Sequence, residues 1–227
     1  MLMRISVIIP VYNEKATVLE IVKRVEALPI DKEIVIVDDG STDGTRDVLR
    51  TLSPQRASVF FHDRNIGKGA AIRTGLAHAT GDLVTIQDAD LEYDPRDLLA
   101  LVRPIADGKA EVVYGSRFTG ERRNMFFWHW AGNRFLTFVT DILYDTTLSD
   151  METCYKMFKS DVIKAINLKC LRFEFEVEVT AKVLKAGHRI YEVPISYAGR
   201  EFAEGKKITW RDGFVALWYL FKYRFSD

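Results

Sequence analysis

The 227-residue sequence is poor in the features that mark several classes of protein. It contains two cysteines and six prolines, too few for a disulfide framework or a proline-rich disordered chain. Cys154 and Cys170 lack a metal-binding spacing, and we expect both thiols to be inert packing residues in a reducing compartment. Thirty-two basic residues balance thirty-two acidic ones. The net charge therefore gives no reason to expect a nucleic-acid partner.

Long apolar runs are also absent. The longest uncharged stretch, 124–133, lies between Arg123 and Arg134 and is far shorter than the roughly 18 residues of a membrane-spanning helix. The apolar run Ile5–Val11 is short and has no small-residue cleavage site after it, so we expect no signal peptide. These observations predict a cytoplasmic protein whose chain does not itself cross a membrane.

The pattern up to about residue 115 alternates short β-branched runs with segments of helical periodicity. This alternation is typical of βαβ units in an α/β fold with a mainly parallel central sheet flanked by helices. No linker separates the two halves, so we predict a single domain whose C-terminal part adds amphipathic helices. The predicted strands are Ile5–Ile9, Glu33–Val37, Ser58–Phe61, Leu83–Gln87 and Glu111–Tyr114, and the predicted helices cover 17–28, 45–52, 69–79 and 96–106.

Polar clusters follow each of these predicted strands. In open parallel sheets, ligands bind at the edge where the strands have their carboxyl ends, so these clusters are the place to seek chemistry. They comprise residues 12–14, 38–44, 65–69, 88–92 and 115–117.

Acidic residues are prominent in two of the clusters. Asp88 and Asp90 follow one strand and Asp38 and Asp39 another, while Glu92 could supply one more carboxylate. Carboxylate oxygens are the ligands that Mg²⁺ and similar hard cations prefer, usually together with substrate phosphates. The alternative is an acidic turn whose side chains only cap backbone groups.

Two glycine-containing segments have simpler interpretations. Residues 67–69 fit neither a P-loop nor a dinucleotide-binding fingerprint, because the required glycine or hydroxyl positions are occupied by other residues. We expect Asp43 to be the N-cap of the helix that begins near Thr45.

Taken in order, the motifs resemble a known family. Residues 8–14 (IIPVYNE), 37–44 (VDDGSTDG), 65–69 (NIGKG) and 88–92 (DADLE) resemble the family 2 inverting glycosyltransferases of GT-A fold, which is Rossmann-like. Residues 115–118 and 132–134, and Arg200 followed by 204–207, are similar to the dolichyl- or polyprenyl-phosphate sugar synthases in that family, such as dolichol-phosphate mannosyltransferases.

The resemblance implies roles for individual residues. Residues 1–119 would form the half that binds the nucleotide sugar, and residues 120–227 the acceptor half with its aromatic helices. Asp90 and Glu92 would bind Mg²⁺ or Mn²⁺, although many members have Gln at the position of Glu92. The catalytic residues would be Asp90, Arg117 and Arg134, the last as a ligand of the acceptor phosphate. The donor would be bound by Pro10, Tyr12, Glu14, Val37, Asp39, Asp88, Ala89, Asp90, Arg117, Arg200 and Lys206.

The chemistry of the reaction leaves the acceptor open. A metal ion and arginine would stabilise the charge that develops on the departing diphosphate. A phosphate monoester is mostly a dianion at pH 7 and can attack without a general base, whereas a sugar hydroxyl needs a carboxylate, for which Asp150 and Glu152 are candidates. The first hypothesis is transfer of a hexose, with GDP-mannose favoured as donor, to dolichyl or polyprenyl phosphate. The alternatives are transfer to a sugar hydroxyl and a non-catalytic nucleotide-sugar-binding protein.

Two features of the second half remain to be interpreted. Arg200, Lys206, Lys207 and Arg211, with Gly199 and Gly205, form the densest basic cluster of the chain. Taken alone this cluster suits a solvated loop, but beside the donor motifs we predict a lid that closes over a diphosphate. An aromatic face of the last helix comprises Trp210, Phe214, Leu217, Trp218, Phe221 and Phe225. Such a face is more often core, but its flanking cations suit a lipid interface. We predict peripheral association with the cytosolic face of a membrane, and leave open a separate membrane anchor subunit.

Overall fold

The computed structural model describes residues 3–200 and 210–226, with the side chains of 210–212 excepted. Its centre is a seven-stranded sheet of order β3-β2-β1-β4-β6-β5-β7. The strands are β1 (Ile5–Val11), β2 (Lys32–Asp38), β3 (Ser58–Phe61), β4 (Leu83–Ile86), β5 (Val112–Ser116), β6 (Lys156–Lys159) and β7 (Ile190–Pro194). The helices are α1 (Val18–Glu26), α2 (Thr45–Arg50), α3 (Lys68–His78), α4 (Leu98–Ala106), α5 (Phe127–Tyr144), α6 (Ser160–Ala165), α7 (Phe175–Lys185) and α8 (Trp210–Phe225).

The first half of the sheet follows directly from the apolar runs. β1 pairs in parallel with β2 on one side and with β4 on the other, so it is a central strand with both edges hydrogen-bonded. Ile8, Ile9 and Ile36 are fully buried in this core. Helices α1 and α4 cover the sheet with stripes of apolar residues at helical spacing. The prediction of an α/β fold with a mainly parallel sheet is confirmed.

The second half of the chain completes the same sheet. β6 inserts between β4 and β5 and runs antiparallel to both, and β7 pairs in parallel with the outer side of β5. Residues 154–158 have a strand-like pattern in the sequence, and the observed strand β6 begins within this segment, at Lys156. The sheet therefore does not divide near residue 119, because strands from both halves of the sequence are interleaved in it.

A second, smaller apolar cluster holds α5, α7 and α8 together. It comprises Leu136, Leu148, Met151, Val177, Ala181, Ala216, Leu220 and Tyr223. The Tyr144 hydroxyl on α5 donates to the carbonyl oxygen of Leu220 on α8 at 2.8 Å. Because α5 and α8 use their inner faces for this packing, their outer faces point away from the rest of the domain.

Those outer faces are strongly aromatic. Trp128 on α5 and Trp218 on α8 are 82% and 67% exposed. The other large exposed apolar residues on the described parts of the two helices are Phe127, Trp130, Phe135, Phe138, Ile142, Phe214, Val215, Phe221 and Phe225. The alternative that the predicted aromatic face of α8 belongs to the core is therefore wrong for Phe214, Trp218, Phe221 and Phe225. Leu217 is half-buried. The side chain of Trp210 lies outside the described ones. Among the described residues, no helix is both long and apolar enough to span a membrane.

Candidate active site

The loops that follow β1 and β2 are joined at the carboxyl edge of the sheet. Asn13 adopts a left-handed backbone conformation, with φ of 53°. Its N–H donates to Ser41 Oγ at 2.9 Å, and its Oδ1 accepts the N–H of Thr42 at 2.8 Å. Two strand ends thus form one rigid surface. Asp43 Oδ1 accepts the N–H of Thr45, as expected of a capping side chain, although Gly44 is the residue at the N-cap position of α2.

The proposed nucleoside-binding residues lie around this surface. Pro10 and Val37 are opposite each other in the β1–β2 register. Val37 is fully buried, and Tyr12 is half-buried just beyond β1. Asp39 has a mainly structural environment: its Oδ1 accepts the Ile66 N–H at 3.0 Å and lies 2.8 Å from His62 Nδ1, and its Oδ2 accepts the Gly67 N–H at 2.7 Å.

Asp39 therefore joins β2 to the loop before α3. Gly67 in that loop has a φ of 122°, and a Cβ there would collide with the carbonyl of Leu171. His62 Nε2 lies 2.9 Å from Thr74 Oγ1, so the imidazole connects the Asp39 carboxylate to α3. Both carboxylate oxygens of Asp39 therefore already accept hydrogen bonds from the protein.

Asp88 and Asp90 follow β4 and have different surroundings. Lys68 Nζ lies 2.9 Å from Asp88 Oδ1. Asp90 borders an open cleft of about 870 Å³ together with Glu14 and Arg200. Burial, followed by the negative charges of Asp88 and Glu92, raises the pKa of Asp90 to about 7. Lys68 and Arg200 offset part of the repulsion between these carboxylates, and a bound cation would offset more of it.

Arg200 holds the segment after β7 against these strand ends. Its Nη1 and Nη2 contact the two carboxylate oxygens of Glu14 at 3.2 and 3.0 Å, and its Nε donates to the carbonyl oxygen of Asp90 at 2.9 Å. Glu92 accepts the N–H of Arg200 at 2.8 Å and the hydroxyl of Tyr197 at 2.7 Å. Both Glu92 oxygens thus contact this segment, and Arg200 is engaged by carboxylate and carbonyl groups where phosphate contact was expected.

Arg117 lies in a deeper position than the sequence suggested. It follows β5, is 8% exposed and forms a bidentate pair with Asp150, with Nε–Oδ2 and Nη2–Oδ1 distances of 2.7 Å. Asn133 Oδ1 accepts a further bond from Nη2 at 3.2 Å. This pair neutralises the charge of the Arg117 guanidinium within the protein. It also occupies both oxygens of Asp150, which argues against Asp150 as a general base.

Three guanidinium groups surround one aromatic ring near the start of α5. Those of Arg117, Arg122 and Arg134 lie 5.8, 5.3 and 5.7 Å from the centroid of Phe118. Arg134 is exposed, and its Nη1 donates to the Ser149 carbonyl at 3.0 Å. This arrangement concentrates positive charge beside the exposed aromatic residues of α5.

Glu152 differs from Asp150 in having no assigned partner for one oxygen. Its Oε1 is buried and has no hydrogen-bond partner within the described part of the chain. Burial and the negative charge of Glu176 raise the pKa of Glu152 to about 7. Lys156 is fully buried beside this group, and burial lowers its pKa to about 8.

Cys154 and Cys170 are both free and buried, in agreement with the prediction that they are packing residues. Burial raises the pKa of each thiol above its ordinary value, so neither has the thiolate character that reactivity requires.

A few expected residues cannot be placed. Lys206, Lys207 and most of the predicted lid lie outside the described residues. Across 3–200 and 210–226, no group of three or more His, Cys, Asp or Glu side chains forms a ready metal cage. A nucleotide-bound Mg²⁺ does not require one, because phosphates and water supply most of its ligands.

Sequence reasoning missed Glu176 on α7, whose Oε1 lies 3.1 Å from Lys68 Nζ. A signal was present in the alternating acids Glu174, Glu176 and Glu178. Positions two apart lie on different sides of a helix, so three such acids cannot all face solvent.

The match to a family model completes this description. Residues 6–166 match the model for Glycosyl transferase family 2, and the chain belongs to that family. A similar curated protein is the undecaprenyl-phosphate 4-deoxy-4-formamido-L-arabinose transferase of Edwardsiella ictaluri (strain 93-146), which is 32% identical over 212 residues. The alignment covers 89% of this chain and 62% of that relative, so the chain spans less than two thirds of the relative's length.

Solved structures agree on the fold. Glucosyl-3-phosphoglycerate synthase of M. tuberculosis superposes with a TM-score of 0.77 at 18% identity, covering 99% of this chain and 82% of that one. Its complex with Mn²⁺, UDP and glucosyl-3-phosphoglycerate gives a TM-score of 0.73 at 17% identity, with coverages of 99% and 81%. At these identities the likeness establishes the fold, which is the predicted GT-A fold.

Proposed function

We propose that this protein transfers a glycosyl group from a nucleoside-diphosphate sugar to a polyprenyl phosphate held at a membrane surface. The observation that carries the proposal is the continuity of two surfaces. The cleft lined by Asp90 and Arg200 is also lined by Arg123, and the adjoining residues 122–127 lead into the exposed aromatic helix α5. A donor site and a lipid-facing surface are thus neighbours. The name of the Edwardsiella relative, an undecaprenyl-phosphate transferase, agrees with such an acceptor.

The donor site fits a divalent cation. Burial and the negative charges of Asp88 and Glu92 raise the pKa of Asp90 to about 7, and a cation in the cleft would favour the ionised carboxylate. Asp90 would hold Mg²⁺ or Mn²⁺ directly. Glu92 would add negative charge next to the ion while it accepts hydrogen bonds from Arg200 and Tyr197. The ion would neutralise the charge of the diphosphate leaving group.

Two observations bear on the base and the sugar of the donor. The sequence resemblance favours GDP-mannose. Several of the solved neighbours are complexes with UDP, some of them with Mn²⁺ or Mg²⁺ as well. We therefore retain GDP-mannose as the favoured donor and include UDP-sugars in the test.

On the acceptor side, a phosphate dianion attacks without a general base. Arg122 and Arg134 would attract the phosphate beside Phe118, and the buried Arg117–Asp150 pair would support that wall of the site. The exposed aromatic residues of α5 and α8 would enter the interface between lipid headgroups and acyl chains. Lys222 and Arg224 at the end of α8 add cations next to them. The site of action would be the cytosolic face of the membrane.

Glu152 supports a second candidate, transfer to a sugar hydroxyl. A carboxylate with an unpartnered oxygen and a pKa of about 7 has the properties of a general base. Since Asp150 is fully engaged by Arg117, Glu152 is the remaining one of the two base candidates.

The test is incubation of the protein with labelled GDP-mannose or labelled UDP-sugars, Mn²⁺ or Mg²⁺ and undecaprenyl phosphate, followed by organic extraction. We expect metal-dependent label in the organic phase with one donor, and its loss in Asp90→Asn. Label confined to the aqueous phase for every donor would reject the proposal. Glu152→Gln should retain transfer to the phosphate acceptor, whereas a hydroxyl-directed enzyme would lose turnover.

A further inference from the structure

Lys68 connects parts of the chain that are distant in sequence. It is the first residue of α3, and its side chain is 16% exposed. Its Nζ lies 2.9 Å from Asp88 Oδ1 after β4 and 3.1 Å from Glu176 Oε1 on α7. It also contacts Cys154 Sγ at 3.7 Å. One ammonium group therefore bridges the donor edge of the sheet and a helix of the second half.

The bridge remains charged despite its burial. Burial alone would lower the pKa of Lys68, but the negative charges of Asp88 and Glu176 raise it well above its ordinary value. With two carboxylate partners in fixed positions, the ammonium cannot rotate around either one alone. The position of Asp88 is consequently tied to α7, although Asp88 and Glu176 lie 88 positions apart in the sequence.

Glu176 also faces the other buried charges of this region. Its side chain is 8% exposed, and after burial its charge is the largest influence on the pKa of both Glu152 and Lys156. Glu176 lies outside all four donor motifs. Among the described contacts, it reaches the donor edge of the sheet only through Lys68.

We propose that Glu176 is a positioning residue for the nucleotide-sugar site, acting through Lys68 to hold Asp88 in its binding orientation. Resting on the proposed function, this inference adds a residue from the acceptor half to the donor site. Removal of the Glu176 charge leaves Lys68 with one carboxylate and more rotational freedom, so Asp88 loses its fixed position. Supporting residues of this kind typically affect affinity or activity by roughly 10- to 100-fold.

A double-mutant cycle on the full chain tests this relationship. Binding of UDP and of GDP, each with Mn²⁺ and without acceptor, is measured by calorimetry for the wild type, Glu176→Gln, Lys68→Met and the double variant. We expect each single variant to weaken nucleotide binding by roughly tenfold. The double variant should bind about as weakly as either single one, because both substitutions break the same connection. Glu174→Gln, at the N-cap residue of the same helix, is the matched control and should bind as the wild type does.

Kinetics separate positioning from a general loss of structure. Glu176→Gln should raise the KM for the donor and leave the KM for undecaprenyl phosphate unchanged. If Glu176→Gln does not fold, Glu176→Asp keeps the charge with a shorter reach and should give a smaller loss of nucleotide affinity. Two results would overturn this inference while leaving the proposed function intact. One is a loss of nucleotide affinity in the double variant equal to the product of the two single losses. The other is normal nucleotide binding by a folded Glu176 variant. Absence of nucleotide binding by the wild type would instead reject the proposed function, and this inference with it.

Discussion

The guanidinium of Arg117 and the carboxylate of Asp150 form a buried, two-point ion pair, with both N–O distances at 2.7 Å. The Arg117 N–H donates to Asp150 Oδ2 as well, at 3.0 Å. Three bonds to one carboxylate fix the turn after β5 against the loop that precedes β6. The pair therefore determines where the second half of the chain meets the sheet.

Breaking this pair should destabilise the fold. Asp150→Asn would leave the Arg117 charge buried without its counter-ion, at a cost of about 3–5 kcal/mol in the free energy of unfolding. Urea denaturation of the variant measures this cost, with exposed Arg134→Gln as a control that should change stability little. A folded Asp150→Asn protein of normal stability that has lost only turnover would contradict a structural role and revive Asp150 as a base.

Glu152 should make the stability of the protein depend on pH. Its pKa is raised from an ordinary value near 4.5 to about 7 in the folded state, so the folded protein binds the proton more tightly than the unfolded chain. The stabilisation is complete below pH 4.5 and is lost as the pH rises through about 7. Glu152→Gln should therefore remove a decline in unfolding free energy over this window. Identical pH profiles of the wild type and Glu152→Gln would show that the raised pKa is absent.

The two acids assigned to the metal should differ in importance. Asp90→Asn should abolish the increase in UDP or GDP affinity that Mn²⁺ produces, because it removes the charge that faces the cleft. Glu92→Gln should keep most of that increase, since the glutamine oxygen can accept from the Arg200 N–H while its amide NH2 group donates to the Tyr197 hydroxyl. Calorimetry with and without Mn²⁺ distinguishes the two variants. Equal losses in both would make Glu92 a direct ligand.

The aromatic surface predicts binding to vesicles. Replacing Trp128 and Phe138 together with serine should weaken sedimentation with lipid vesicles by tenfold or more, because burial of each large apolar side chain contributes about 1.5–3 kcal/mol. Leu19→Ser on α1, also an exposed apolar residue, is the control and should bind as the wild type does. Unchanged vesicle binding by the double variant would assign this surface to another partner. Nucleotide affinity should be the same in all three proteins.

The sequence predicted the first half of the fold well because β1, β2 and β4 are mostly buried on both faces. Their apolar runs end where burial ends, so the predicted bounds of β1 to β4 differ from the observed ones by two residues at most. The insertion of β6 between β4 and β5 was not predictable in this way. Four residues of an antiparallel strand carry little periodicity, and their place depends on partners far away in the chain.

The site was predicted in its residue types more than in its contacts. The motifs located Asp88, Asp90 and Arg200 at one edge of the sheet, where the structure places them. The pairing of Arg200 with Glu14 joins residues 186 positions apart and has no local pattern that announces it. The same holds for Glu176, which reaches the donor edge through Lys68 from another helix. Such contacts arise from tertiary packing and became visible only in the folded chain.

The account is tested most directly by the release of nucleoside diphosphate in the presence of vesicles, Mn²⁺ and the donor sugar nucleotide. Three vesicle preparations are compared, containing undecaprenyl phosphate, the corresponding polyprenyl alcohol, or neither lipid. We predict release only with the phosphate, accompanied by an equal amount of glycosylated lipid. Equal release with the alcohol, or release that needs neither lipid, would contradict transfer to a polyprenyl phosphate.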